Sequence, residues 1–572
     1  MHKKILLLST VFFLFIGWSS NPRTNTSICT VDNEQNQPQL AADGNGGAVI
    51  AWEDSRSGTD PDIYAQNIDS TGAVQWRTGG IQICGAIGPQ RHPRLCADNS
   101  GGVIITWLDR RNGKNYDIYA QKIDANGRYR WTEDGVPLCS APGDQYDPVP
   151  VPDGSGGAVI VWQDRRNGNN YDIYAQHIDS SGRVRWAADG AVICTEKEDQ
   201  ENPQAVSDGS GGAVITWQDR RSAEDYNIYV QRIDSDGRIQ WTTGGVEICS
   251  AKNDQRGPRL VTDTKGGAVI TWQDKRNGND YDIYAQRVDD SGRTQWTANG
   301  VGICSAQNSQ YDPCLASDTK GGAVIAWQDY RKGAECNFDA FAEQSNTQTA
   351  VCEVKHLNDW NIYAQHINSS GKVQWAVNGV AVSTANVDQY RPQAVPDGFG
   401  GTIVLWRAAD KKNEHNIYAQ RLNASGNAEW TQAGVAVSTA DGDKYGALAA
   451  PDGKGGAIVT WYNKKEKNNS DIYAQKVCAS GEIGGCYEPV AVIDADKFEG
   501  PAALIISFNS TNSYDPDGSI TAWRWEFGDG QRASTKDVVH TYSKPGSYTV
   551  SLRVRDNNGK WSTIVKRKVT VS

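Results

Sequence analysis

Apolar residues run without interruption through eight short segments of the chain, and each of these segments ends in tryptophan. The first is GGAVIAW, and the eight tryptophans are Trp52, Trp107, Trp162, Trp217, Trp272, Trp327, Trp406 and Trp461. An apolar run of this length predicts a strand that is covered on both faces. The spacing is 55 residues, apart from one step of 79. So constant a period indicates one supersecondary unit that is repeated and stacked on its neighbours.

Each repeat contains four short segments that are typical of strands. The repeat that begins at Pro203 reads PQAVSDGSG, GGAVITW, NIYVQRID and RIQWTTGGVEI, separated by turns rich in Gly, Asp and Ser. This pattern predicts four strands per repeat. Eight such units predict an all-β chain whose residues 21–486 form an eight-bladed β-propeller. The alternative architecture is a β-solenoid, whose rungs are much shorter.

The two ends of the repeat array complement each other. In the last repeat the fourth segment degenerates to GEIGGC, and Gly485 stands where tryptophan is expected. The segment Thr24–Cys29 aligns with the end of a fourth strand. We therefore predict that it pairs into the last blade and closes the ring, which removes the exposed strand edges.

The first twenty residues predict a secretory signal peptide. Lys3 and Lys4 supply positive charge, Ile5–Ile16 supplies a short apolar core, and small residues follow. A membrane anchor is the alternative, but it needs about 20 apolar residues. We expect an exported protein with no transmembrane segment in the mature chain. The net charge of -11 argues against a nucleic-acid partner, which selects clustered Lys and Arg.

The twelve cysteines fall into two groups. One group recurs at the repeat period and consists of Cys29, Cys84, Cys139, Cys194, Cys249 and Cys304. Residues related by rotation about an axis come within disulfide distance only near that axis. We therefore expect these six cysteines to remain as buried thiols. The other group predicts two local disulfides, Cys336–Cys352 and Cys478–Cys486. Cys96 and Cys314 are left unassigned.

A recurring Asp-x-Arg follows the second strand of six repeats, as Asp54/Arg56, Asp109/Arg111, Asp164/Arg166, Asp219/Arg221, Asp274/Arg276 and Asp329/Arg331. A ring of guanidinium groups could display donors for carboxylates or sugars. A residue repeated in six blades is more often structural, because a site needs asymmetry. A Gln three residues before the first strand's proline also recurs, and we expect these amides to circle the mouth of the central channel and to satisfy crossover backbone groups.

The one insertion, at about residues 332–359 in blade six, is the predicted ligand-binding element. It brings Phe338, Phe341, His356 and Trp360 close to Arg331 in sequence. A loop held by a disulfide and rich in aromatics favours recognition, although a decoration without a ligand is the alternative. No residue is predicted to be catalytic, and neither a metal site nor a cofactor is predicted. Asp-Gly turns, including Asp515–Gly518, could hold Ca²⁺ weakly, but such turns also form without metal.

The repeat resembles bacterial extracellular repeats that read W-x-D-x-R, D-I-Y-A-Q and G-x-x-x-W and that are usually assigned to propellers. The resemblance covers about residues 28–486. It also resembles, distantly, sialidase-type propellers, although Gly237 and Trp241 are one residue further apart than in the sialidase Asp-box. A shared fold does not convey an activity.

Residues 487–572 resemble the PKD domain, an immunoglobulin-like sandwich. Trp525, Phe527 and Asp529 match its W-x-F-G-D-G motif, and H-x-Y-x-x-P-G-x-Y begins at His540. Trp525 and Phe527 alternate onto one face as core, and Gly-Asp-Gly makes a hairpin turn. The resemblance implies extracellular spacing or adhesion, and structural roles for these residues.

Together these features predict an exported, non-catalytic binding or adhesion protein whose propeller binds an extracellular glycan or protein. A polysaccharide-directed hydrolase or lyase, with the propeller as catalytic domain, is the first alternative. A structural surface-layer component is the second.

Overall fold

A computed structural model describes residues 21–23, 25–58, 60–331, 336–337, 353–354, 360–383, 385, 387–410, 414–466, 469–484, 488–515, 519–556 and 560–572. These residues divide into two compact units, one ending at Gly481 and one beginning at Glu482. All regular structure in the described residues is β-strand. Within that part of the chain, no helix is long and apolar enough to cross a membrane.

The first unit contains eight four-stranded antiparallel sheets, here called blades one to eight. The first strands are Gln35–Ala42, Gln90–Ala97, Gln145–Pro152, Gln200–Ser207, Gln255–Thr262, Gln310–Ser317, Gln389–Pro396 and Asp443–Pro451. The second strands are Ala48–Asp54, Val103–Asp109, Ala158–Asp164, Ala213–Asp219, Ala268–Asp274, Ala323–Asp329, Thr402–Ala409 and Ala457–Glu466. The third strands are Asp62–Ile68, Asp117–Ile123, Asp172–Ile178, Asn227–Ile233, Asp282–Val288, Asn361–Ile367, His415–Leu422 and Asn469–Val477. The fourth strands are Ile81–Cys84, Val136–Cys139, Ala191–Cys194, Val246–Cys249, Val301–Cys304, Val380–Ser383, Val435–Ser438 and, in blade eight, Thr26–Cys29.

The blades are packed face to face around an axis. Every first strand contacts the first strands of both neighbouring blades, and the last of these contacts joins blade eight to blade one. The second strands are covered on both faces, so that Ala48–Trp52 have no exposed surface. This burial explains the uninterrupted apolar runs in the sequence. The eight-bladed propeller predicted from the repeat is confirmed.

The ring closes through the segment near the start of the chain. Thr26–Cys29 pairs antiparallel with the third strand of blade eight, with Thr26 opposite Ala474 and Ser27 opposite Tyr473. Ile28 and Cys29 are buried there. Across the same seam, the Ser470 hydroxyl donates to the Gln35 carbonyl at 2.8 Å. The predicted pairing is therefore confirmed, with the strand beginning at Thr26.

The fourth strands are shorter than the sequence pattern predicted. In blade four the segment before Val246 forms only an isolated bridge, Ile233 to Ile239, and Trp241 lies outside the strand. The Trp241 indole donates to the Asp290 carbonyl of the next blade at 3.0 Å. Its ring lies over Gly292, where an added Cβ would come within 2.7 Å of the indole. Trp241 therefore packs against the neighbouring blade instead of pairing within its own.

The same indole-to-glycine contact joins seven pairs of neighbouring blades. The indoles are those of Trp76, Trp131, Trp186, Trp241, Trp296, Trp375 and Trp430. The glycines, all with positive φ, are Gly127, Gly182, Gly237, Gly292, Gly371, Gly426 and Gly481.

The second unit is a β-sandwich of two sheets. The three-stranded sheet has the order Asp494–Ala495, Leu504–Asn509, Asp537–Tyr542, and the five-stranded sheet has the order Glu499–Gly500, Val565–Val571, Gly546–Asp556, Ile520–Glu526, Arg532–Ala533. Trp525 and Phe527 are buried in the core between them, as the alternation predicted. Asp529 accepts from the Gln531 amide at 3.0 Å and lies 2.8 Å from His540 Nε2. The His540 ring in turn stacks on Phe527, so Asp529 fixes the turn after the core strand.

Deletion of residues 21–29 should destabilise the ring. The deletion exposes the edge of the third strand in blade eight and removes the burial of Ile28, a side chain that contributes about 1.5–3 kcal/mol. In a protein of this size each kcal/mol shifts the melting temperature by about 1–2 °C, so we expect it to fall by roughly 2–6 °C. Calorimetry of the deleted and parent proteins measures the shift, and Ser27→Ala, which changes an exposed position of the same strand, is the control. An unchanged melting curve would contradict closure by this strand.

Candidate functional site

The crossover face of the ring carries the Asp-x-Arg pairs and the recurring glutamines. It consists of the loops after the second strands together with the connections that lead from each fourth strand into the next blade. These two sets of segments lie side by side, as shown by the hydrogen bonds from Ser55 N to the Glu34 carbonyl and from Arg220 N to the Asp199 carbonyl.

In each of the six blades that carry it, the Asp-x-Arg pair is joined into one network, as blade four illustrates. Asp219 has no exposed surface. Its Oδ2 accepts from the Trp217 indole at 2.8 Å and from Arg221 Nη2 at 2.6 Å. Its Oδ1 accepts from the backbone N–H and the Nε of Arg221, both at 2.9 Å. The Arg221 guanidinium also lies 3.9 Å from the centre of the Tyr229 ring. The arginine thus pairs with the aspartate of its own motif, not with a neighbouring carboxylate.

A cysteine from the preceding blade completes this network. Arg221 Nη2 lies 3.3 Å from Cys194 Sγ, at the end of the fourth strand in blade three, and it donates to the Gly244 carbonyl at 2.7 Å. The same contact joins each of the six periodic cysteines to the next blade's arginine. In blades seven and eight the Asp and Arg positions hold Ala408/Asp410 and Asn463/Lys465, and the preceding fourth strands end in Ser383 and Ser438. At this repeat position cysteine is therefore present only where the next blade has the Asp-x-Arg pair. This co-occurrence indicates that the cysteine, the aspartate and the arginine together form a blade-to-blade contact.

All six periodic cysteines are free and buried, as are Cys96 and Cys314. Burial raises the pKa of Cys29 to about 11 and that of Cys194 to about 12. These thiols are therefore protonated at neutral pH and lack the thiolate that reactive cysteines need.

Arg331, predicted as a ligand-binding residue, belongs to the same blade-to-blade network. Its guanidinium donates to Asp329 and to the Asn378 carbonyl, and it lies against Cys304 and over the Tyr363 ring. The structure therefore places Arg331 with the structural arginines instead of the ligand-binding set.

The other predicted ligand-binding residues lie in or beside the insertion. Phe338, Phe341 and His356 fall outside the described residues. Trp360 is described, and its half-buried ring lies 4.8 Å from that of Tyr330 and 5.7 Å from that of Tyr311. Tyr281 extends this row, 5.3 Å from Tyr311. These four rings, from blades five and six, are here called the aromatic row.

The recurring glutamines do not face the channel mouth, which corrects their predicted position. Seven glutamines recur at this position and none has exposed surface: Gln35, Gln90, Gln145, Gln200, Gln255, Gln310 and Gln389. Their amide groups donate to carbonyls of the connection that enters the blade. Gln200 Nε2, for example, donates to the Lys197 and Glu198 carbonyls at 3.1 and 2.9 Å. In blade eight Lys444 takes this place and donates to the Gly442 carbonyl at 2.7 Å. The expectation that these amides satisfy crossover backbone groups is confirmed.

The acidic turns between the third and fourth strands hydrogen-bond within the protein, as the turn at Asp234 illustrates, whereas residues 516–518 of the other candidate turn lie outside the described residues. Asp234 Oδ1 accepts from the backbone amides of Asp236 and Arg238, and its Oδ2 accepts from Gln240. Such a turn forms without Ca²⁺. Among the described residues no group of three or more His, Cys, Asp or Glu could hold a metal ion.

The predicted disulfides fall largely outside the described part of the chain. Cys478 is disulfide-bonded. Cys352 and Cys486 lie outside the described residues, so both predicted pairings stay predictions.

Sequence comparison identifies the second unit. Residues 486–571 match the PKD domain. This domain also has solved relatives, among them the PKD1 domain of the Vibrio cholerae metalloprotease PrtV, which is 30% identical over 15% of this chain and 99% of that chain with a TM-score of 0.14. The resemblance of residues 487–572 to the PKD domain is confirmed.

The curated relatives are named as proteases. A microbial collagenase from Vibrio alginolyticus is 41% identical over 295 residues, which cover 49% of this chain and 34% of the collagenase. Collagenase ColA from Clostridium perfringens is 34% identical over 121 residues, covering 20% of this chain and 10% of the collagenase. The chain thus spans a third or less of the length of these relatives.

These similarities overturn the predicted function. Proteins named as collagenases, and a pre-pro-metalloprotease from Vibrio cholerae, point to proteolysis and not to non-catalytic adhesion. They also leave the predicted absence of a cofactor without support, because a metalloprotease depends on a metal.

Solved propellers resemble the first unit only distantly. The endo-arabinase from Bacteroides thetaiotaomicron is 15% identical, covering 46% of this chain and 88% of that chain, with a TM-score of 0.25. A likeness at this level carries no argument about activity.

Removal of one charge from the blade-to-blade network should destabilise the ring more than removal of both. Asp219→Ala leaves the Arg221 guanidinium without its carboxylate beside a buried thiol, at a cost of about 3 kcal/mol. Asp219→Ala/Arg221→Ala removes both charges and should recover part of the loss. Thermal melts of both variants test this, and equal or larger destabilisation in the double variant would contradict the pairing.

The buried thiols predict a defined dependence on pH. Their pKa is raised in the folded state, so the stabilisation is complete below the unfolded pKa of about 8.5 and is lost as pH rises toward about 11–12. The native protein should therefore not react with a thiol reagent at pH 8, whereas protein in denaturant should react at once. Rapid reaction of all the free cysteines in the native state would show that they are accessible.

Proposed function

We propose that this protein functions in the extracellular breakdown of structural proteins such as collagen. The observation that carries the proposal is the 41% identity to a microbial collagenase over 295 residues. The PKD domain at residues 486–571 supports it, because PrtV, a metalloprotease, also carries one. The predicted signal peptide at residues 1–20 agrees with an extracellular site of action.

The aromatic row is the surface that we assign to the substrate protein. Trp360, Tyr311, Tyr330 and Tyr281 are half-buried, and they form a continuous series of rings on the crossover face. Aromatic side chains with a polar edge supply contact area at low entropic cost and are enriched where proteins bind other proteins. Blades two and three carry an equivalent row of three tyrosines, with ring centres 6.1 and 6.2 Å apart. Tyr330 distinguishes the row in blade six, because blades two to five have arginine or lysine at that position.

Peptide-bond cleavage is not assigned to particular residues. The described residues contain no cluster that fits a catalytic metal ion. The part that we assign to the aromatic row in this proteolytic function is to hold the substrate protein.

Collagen degradation tests the proposal directly. Fibrillar collagen is incubated with the full chain, both alone and together with a bacterial metallo-collagenase, and soluble hydroxyproline-containing peptides are measured. We expect more peptide release than with an equal mass of serum albumin in at least one of the two conditions. Trp360→Ala should lower the gain by about 2- to 10-fold, since an aromatic contact of this kind contributes about 0.5–1.5 kcal/mol.

The matched control is Ile87→Ala, which removes an apolar side chain that is 90% exposed and lies outside the row. It should release as much peptide as the parent. If the parent protein raises peptide release in neither condition, the proposed function is wrong.

A further inference from the structure

One position of the repeat carries a different residue in most blades, although the glutamine two residues before it and the proline after it hardly change. It is the residue before the first strand's proline, two residues after the buried glutamine. The residues at this position, here called the axial ring, are Gln37, His92, Asp147, Asn202, Gly257, Asp312, Arg391 and, in blade eight, Gly446. The first strands contact one another around the axis, so these residues stand at the mouth of the central channel. The different side chains at this position give the mouth the asymmetry that a binding site needs.

The axial ring is held in a strained backbone conformation. All eight residues have positive φ, for example 55° at Asn202, 49° at Asp312 and 52° at Arg391, where the first strand bulges. A residue other than glycine rarely adopts this conformation, least of all before proline. The preceding blade holds it in place, because the Gln328 amide oxygen accepts from Arg391 N at 3.1 Å and Gln273 does the same for Asp312 at 3.3 Å. Because all eight blades share this conformation, it belongs to the fold, and the side chains it carries are what distinguish one side of the mouth from another.

A cavity opens at one side of the channel mouth. Its volume is about 370 Å³, and residues from four consecutive blades line it. The polar lining groups include Asn202, Arg259, Asp312, Arg391 and Gln393.

The two arginines of this cavity lack the carboxylate partner that arginines of the third strands have. Arg232 and Arg287, for example, pair with Asp208 and Asp263 at 3.0 and 2.8 Å. Among the described residues, neither Arg259 nor Arg391 has a carboxylate within ion-pair distance, and Arg259 Nη1 reaches only the Pro258 carbonyl, at 3.4 Å. The Arg259 side chain is exposed within the channel. The protein walls around it reduce its hydration, which lowers the pKa of its guanidinium, and the negative charge of Asp312 opposes this change.

We propose that this cavity binds the C-terminal carboxylate of a polypeptide, with Arg259 and Arg391 as its guanidinium donors. The planar guanidinium group matches a carboxylate in two parallel hydrogen bonds. Asp312, in the same lining, is the acceptor available for the backbone N–H next to that carboxylate. The choice of a polypeptide rests on the proposed function, since cleavage of a structural protein creates new C-termini.

The substitutions for the test come from the repeat itself. Arg259→Gln introduces the residue that other blades carry after the proline, at Gln39, Gln204 and Gln393. Arg391→Asn introduces the axial-ring residue of blade four, and asparagine tolerates positive φ. The control is Arg256→Gln in the same first strand, because Arg256 already pairs with Asp254 at 3.0 Å.

Binding to the full chain is measured by fluorescence anisotropy with a short, N-terminally labelled collagen-like peptide. The free-acid peptide should bind, and its C-terminal amide should bind about tenfold more weakly or worse. Arg259→Gln/Arg391→Asn should weaken binding of the free acid to the same extent, whereas Arg256→Gln should not. A labelled oligoglucuronate is the third probe.

Equal binding of the acid and the amide would overturn the proposal, as would equal losses in the double variant and in Arg256→Gln. Preference for the oligoglucuronate over the peptide would overturn the choice of a polypeptide ligand. The collagen assay is run on the same variants and separates the two proposals. If collagen release persists while the peptide fails to bind, only the cavity assignment is lost; if peptide binding persists without any collagen release, only the proposed function is lost.

Discussion

Each blade of this ring depends on its neighbours to cover the faces of its second strand. Ala48–Trp52 and their counterparts are fully buried only because a sheet packs on either side. A single blade would expose an apolar strand on both faces, so the unit of stability is the closed set of eight. The polar contacts between blades follow the same rule, since the cysteine, the Asp-x-Arg pair and the outer indole each connect one blade to the next.

The repeat was sufficient to predict the main features of the fold. Period, strand number, ring closure by Thr26–Cys29 and the free state of the periodic cysteines all follow from residues that recur at a fixed spacing. Trp525 and Phe527 likewise identified the core of the sandwich. These features are visible in sequence because each of them is expressed by a local pattern.

Contacts between blades were harder to predict, because they join residues that belong to different repeats. Cys194 meets Arg221 only once the blades stack, and yet the chain carried a signal: cysteine changes to serine, at Ser383 and Ser438, just where the Asp-x-Arg pair is lost. The axial ring was missed because its backbone conformation is set by the bulge and by the preceding blade, not by residue type. The expectation of adhesion failed for another reason, since a propeller fold does not specify an activity.

The seam between blades eight and one differs from the other seven junctions. Its outer indole is missing, because Gly485 stands where the other repeats have tryptophan, and the fourth strand of blade eight comes from the far end of the array. The seam keeps the contact between Cys29 and Arg56, so the contact that it lacks is the one on its outer rim. Were the seam to open, the seven remaining junctions would still hold all eight blades, as an arc instead of a ring.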